Sequence, residues 1–147
     1  MARDLFIGIT DQSKSSIHRR DDANALLIAE RWRGAMYLAG YSIECQLKAN
    51  LMRMFDCCNL WELEQELLRR NLLKSRGTIF SHQLEELLRL TNTMNRLRQN
   101  SIMWPLFNIV NSWIPAWRYN PNLSNREDAE DYLNAVDKVR HWIENNV

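Results

Sequence analysis

Apolar residues keep helical spacing longest over residues 33–55. Met36, Gly40, Ile43, Leu47, Leu51 and Met54 recur at threes and fours, which stacks them into one core-facing stripe. Beside that stripe runs a second row, Arg33, Tyr37, Tyr41, Glu44 and Lys48, placing aromatic and charged groups along the edge of the core. Gly34, Ala35, Ala39, Gly40 and Ser42 supply small side chains where a neighbouring backbone can come close. The pattern predicts a central helix over 34–55.

A first helix is predicted over 19–32, with Ala25, Ile28 and Trp32 as its apolar line and Ala23, Leu26 and Leu27 widening it. Gly34 breaks the two helices, or is absorbed if they run on as one. Residues 1–17 have no clear period and are predicted as an irregular lead-in. Asn59 and Glu62 form a capping box ahead of Leu60, Leu63, Leu67, Leu68 and Leu72. Ser81 is placed to cap a helix through Leu84, Leu87, Leu88, Thr91, Met94 and Leu97, which Asn92 or Asn95 can divide. Pro105 suits the first turn of a further helix carrying Leu106, Ile109, Val110 and Trp113, and Pro115 stops it. After a turn-rich loop over 116–123, Ser124 and Glu127 form a second capping box. It opens a closing helix on Ala129, Tyr132, Leu133, Val136, Val139 and Ile143. The sum is an all-α, antiparallel four- to five-helix bundle in a single domain over 1–147.

Composition narrows the class without changing the architecture. A chain of 147 residues can bury about two thirds of its unfolded surface, so no staple is needed. With 46% hydrophobic and 25% charged residues and only 4 Gly and 3 Pro, the chain reads as compact and helical rather than disordered or all-β. The net charge of +1 means that any nucleic-acid contact has to come from local clusters of Arg and Lys. Cys45, Cys57 and Cys58 are odd in number and lack the spacing of a zinc site or a disulfide framework, which fits a reducing cytosol. The amino-terminal apolar run is short and broken by Gly8, too brief for a membrane span, so a soluble, cytoplasmic protein is expected.

LAGYSIECQLKA at 38–49 is similar to the signature of HEPN domains. SHQLEELL at 81–88 resembles their His-Asp-Leu segment, with Gln83 in place of the acid. With Arg118, Tyr119 and the last helix, the resemblance covers roughly 18–146. It implies a small all-helical HEPN-like module that binds RNA or a partner protein. Such a module is expected as a homodimer, working with a nucleotidyltransferase in a toxin–antitoxin or defence system. The same family includes metal-independent endoribonucleases of the toxin type, so fold constrains function only loosely.

Catalytic relatives place an Arg and a His with four to six residues between them, pairing a phosphate clamp with an acid-base group. On the closing helix Arg126, Arg140 and His141 do not have that separation. Arg76 and His82 do, with GTIFS between them, but across Gly77 and the cap, where a His packed at the bundle end is the competing reading. A site assembled from Arg118 and His141 is the other catalytic option.

Glu44 and Lys48, one turn apart, form an ion pair worth about 0.3 kcal/mol if exposed. Alternatively the row from Tyr37 to Lys48 satisfies buried groups of a neighbouring helix, such as the Arg118 guanidinium. Trp113, Trp117, Arg118 and Tyr119 can stack on unpaired bases and hold phosphate, or clamp a loop onto the bundle. His18, Arg19 and Arg20 make one basic patch, and Lys74 with Arg76 another. No His has a second His or a Cys one helical turn away, so neither a metal nor a cofactor is expected. Cys45 is expected to be a buried, inert thiol.

Overall fold

The computed structural model describes residues 6–73, 75–121 and 124–147; Lys74 and Leu123 lie outside the described residues. Seven α-helices are described: α1 (Ile9–Ile28), α2 (Trp32–Met54), α3 (Leu60–Arg69), α4 (Leu84–Leu90), α5 (Met94–Gln99), α6 (Met103–Val110) and α7 (Arg126–Asn146). Short 3-10 turns occupy Thr78–Phe80 and Pro115–Tyr119. The fold is an all-α bundle. Its helices number more than the four or five expected; the stretch at 81–97 divides into α4 and α5, and the one at 105–114 is a single short helix, α6, that ends at Val110. No helix of the described residues is long and apolar enough to cross a membrane.

α1 begins ten residues before the predicted start and includes most of the stretch read as irregular. Its entry is fixed by polar contacts: the Gly8 amide donates to Asp11 (3.2 Å), Ile9 N to Cys58 O (3.1 Å) and Leu60 N to Ile7 O (3.1 Å). The period was hidden because its fully buried positions are small, Ser16 and Ala23, while the predicted core residues Ala25 and Ile28 are exposed. Glu30, at φ 61, then turns the chain into α2, and Arg31 N reaches back to Leu26 O (2.8 Å). Gly34 therefore sits inside α2 rather than at the break.

The same device recurs. Asp56 (φ 53), Asn71 (φ 58) and Asn92 (φ 60) follow α2, α3 and α4 in left-handed conformation, which short polar side chains tolerate better than most. Asn92 thereby divides α4 from α5. At α3 the Asn59 side chain accepts from Glu62 N (2.9 Å), as expected, while Glu62 reaches Cys58 N (2.8 Å) instead of the cap's own amide. At α7 the cap is Asn125, accepting from Asp128 N (2.8 Å), one residue beyond the predicted Ser124. At α4 the cap position is Gln83, not Ser81.

α2 is buried on every side and touches α1, α3, α4, α7 and the 115–119 turn. Of its predicted stripe, only Met54 is exposed. The α7 stripe is buried in full, from Ala129 to Ile143. Leu72 and Ile109, both assigned to the core, are about half exposed (49% and 45%).

Candidate functional site

The edge row of α2 leads into the one place where a buried charge meets a surface imidazole among the described residues. The Glu44 carboxylate is 1% exposed, and Lys48 Nζ lies 3.8 Å from it, itself 7% exposed. This pair is buried, so the small value of a solvated helix pair does not apply; removing either partner would strand a charge away from water. Glu44 Oε1 also meets His82 Nδ1, and the His82 side chain is 46% exposed. The expected partner, Arg118, is elsewhere: its guanidinium lies over the Tyr119 ring at 4.8 Å.

Three aromatic rings wall the row. Trp113 stacks on Tyr37 (5.9 Å between centroids) and meets Tyr41 edge-on (6.0 Å), and its indole N–H donates to Tyr37 O (2.9 Å). It can do so because residue 40 is glycine: a Cβ there would come closer to the indole ring than van der Waals contact allows. The close approach expected of the small residues on α2 is thus made by a side chain from beyond α6. Burial, and then the neighbouring Glu44 charge, push the Tyr41 hydroxyl up to about 12, so Tyr41 serves here as a neutral group.

His82 opens onto a groove of about 540 Å³ lined also by Glu85, Glu86, Asn111, Trp113 and Pro115. With Nδ1 held against the carboxylate, Nε2 is the ring nitrogen left to face a ligand. The segment carrying His82 is tied down at three points. His82 meets Glu44, the Gly77 amide meets the buried Glu64 carboxylate, and Ile79 is fully buried. A second cavity of about 880 Å³ adjoins the groove, sharing Ser81, Gln83 and Glu86 with it and lined also by Phe55, Leu72, Leu73 and Arg89. The buried Ser81 hydroxyl between them has no hydrogen-bond partner among the described residues.

The remaining candidates fall at separate places. Arg76 lies in the exposed 75–77 turn and is not among the residues lining the groove onto which His82 opens. His141 is exposed on α7 and holds Asn145. Trp117, the anchor of the 115–119 turn, packs on Tyr132 (5.4 Å), and nine α-helical residues from Tyr132 to His141 span about 13 Å, so Arg118 and His141 do not share a site. Trp113 and Trp117 are packing residues, leaving Arg118 and Tyr119, the latter 74% exposed, as the surface members of that group. In the amino-terminal patch Arg19 pairs with Asp22 (3.1 Å) and Arg20 with Asp137 (2.5 Å), which neutralises it.

Fold and site together define an all-α bundle in which a buried carboxylate fixes a half-exposed imidazole. No family model, no curated protein and no solved structure matches the chain.

Proposed function

We propose that the protein is a HEPN-like module that binds RNA. The observation carrying this reading is the Arg118–Tyr119 pair: an exposed guanidinium set 4.8 Å over an exposed ring, on a short turn pinned by Trp117. A planar cation beside an aromatic face offers a phosphate contact and a stacking surface together. In this reading the module works as a homodimer with a nucleotidyltransferase partner in a toxin–antitoxin or defence system. Exposed Ile102, Ile109 and Ile114, on α6 and just beyond its two ends, provide apolar surface for such association.

A second reading, metal-independent endoribonuclease, is favoured by one specific feature. Glu44 orients His82 so that Nε2 is available as an acid-base group, with no metal called for in the proton transfer. Arg76 does not line the His82 groove, so in this reading the phosphate clamp is Arg76 brought in with the substrate or a cation from a second subunit. Incubating the purified protein with mixed RNA in excess chelator decides between them. Binding without cleavage, weakened about fivefold or more by Arg118→Ala, is expected from the stacking contribution of about 1–3 kcal/mol. Cleavage that His82→Ala abolishes establishes the enzyme instead. Absence of both binding and cleavage removes RNA from the account.

A further inference from the structure

All eighteen acidic residues of the chain lie outside residues 87–126, a segment that carries five arginines and no lysine. Most arginines elsewhere in the fold with described partners are matched to carboxylates, as in the Arg69 and Arg70 pairs with Glu66. Within the segment two are treated differently. Arg98 and Arg118 are exposed, lie on aromatic rings, and have no carboxylate within ion-pair distance among the described residues.

The Arg98 arrangement is a stack that starts in the core. Phe107, 1% exposed, packs against Trp104 with centroids 6.0 Å apart and planes at 24°. The Arg98 guanidinium carbon then lies 5.7 Å from the Trp104 ring. A base stacks as readily on a guanidinium plane as on a ring, and here that plane is backed by two aromatics already ordered on folding. Beside it, where Asn92 in its left-handed conformation turns α4 into α5, a cavity of about 220 Å³ is lined by Arg89, Asn92, Met94, Asn95 and Arg98. Arg89 also holds Glu86 at 2.9 Å, so the uncommitted charge of the cavity is that of Arg98. Two guanidiniums and two carboxamides around a small cavity fit one phosphate, with donors in excess and no carboxylate in the lining.

We infer that Arg98, Trp104 and the Asn92–Asn95 cavity form a second polynucleotide contact, at the amino-terminal end of α6, that takes one phosphate and one unpaired base of a single strand. The inference rests on the RNA reading above and adds a station that the 115–119 turn does not supply. A duplex, with its bases stacked on each other, cannot use it.

Fluorescence anisotropy tests this with a labelled 12-nucleotide mixed-sequence RNA, the DNA of the same sequence and the RNA duplex. The proteins are wild type, Arg98→Glu, Arg98→Lys and, on α1, Lys14→Glu, each checked by circular dichroism. Arg98→Glu is expected to weaken single-strand binding tenfold or more, Arg98→Lys two- to fivefold, and Lys14→Glu less than twofold, with the duplex bound more weakly than the single strand. Equal losses in Arg98→Glu and Lys14→Glu, or no loss in Arg98→Glu, overturn this station while leaving RNA binding intact. Tighter binding of DNA than RNA, still sensitive to Arg98, keeps the station and overturns the RNA reading. No binding by the wild-type protein overturns both.

Discussion

Two polar pairs on α2, Ser42 with Gln46 and Glu44 with Lys48, each stand one turn apart, but they are two residues out of phase. On a helix that is about 200°, so they face nearly opposite ways. Toward α1 and α7, Arg140 donates to Ser16 Oγ (2.5 Å), Ser16 Oγ to Ser42 O (2.7 Å), and Gln46 to Arg140 O (3.0 Å). Together these bonds tie α1, α2 and α7, and burial holds the Arg140 guanidinium below its ordinary range. Toward the 81–86 segment, the Glu44–Lys48 pair ends on an imidazole half in water. The first arrangement uses its side-chain bonds to hold three helices to one another; the second delivers the orientation of a buried carboxylate to the surface. Burial of charge alone therefore does not mark a site, whereas burial of charge behind an accessible titratable group does.

The largest test breaks the second arrangement. Glu44→Ala strands Lys48 in the interior and is expected to cost about 3–5 kcal/mol in urea unfolding, whereas Glu44→Leu with Lys48→Met recovers most of it. If that double variant is stable yet shows the same RNA phenotype as His82→Ala, the pair serves the site more than the fold. Next, Arg140→Met removes charge-assisted bonds from the seam and is expected to cost about 2 kcal/mol with no change in RNA binding. A loss of binding there would blur the distinction between the two faces.

The smallest effect concerns Cys45, whose thiol is pushed up to about 12 by burial and then by the Glu44 charge. The unfolded chain releases that proton near its ordinary pKa of about 9, so this contribution to stability is complete below pH ~9 and lost as pH rises toward ~12. Melting temperature should fall across that window, and Cys45→Ala should flatten the fall. At pH 8, iodoacetamide should label exposed Cys58 quickly and leave Cys45 unmodified until the protein unfolds.

Where a helix buries large side chains at regular spacing, the chain announces it locally. The α7 stripe, the centrality of α2 and the Asn59 cap are all legible because each depends on residues within a few turns of one another. α1 was misplaced for the converse reason, since small Ser16 and Ala23 carry its buried face and give no hydrophobic period. Ser124 and Asn125 are both competent caps, so the choice between them falls to the packing of α7.

The site belongs to the other category. Glu44 and His82 are 38 residues apart, and the Trp113 indole donates to a carbonyl 76 residues before it, over a glycine whose use is invisible until both helices are in place. Sequence by itself determined an all-helical bundle built on α2, because hydrophobic periodicity is a local property. Only the tertiary structure decided that the α2 edge row serves His82 and not Arg118, because partner choice for a buried charge depends on which distant segment excludes water from it.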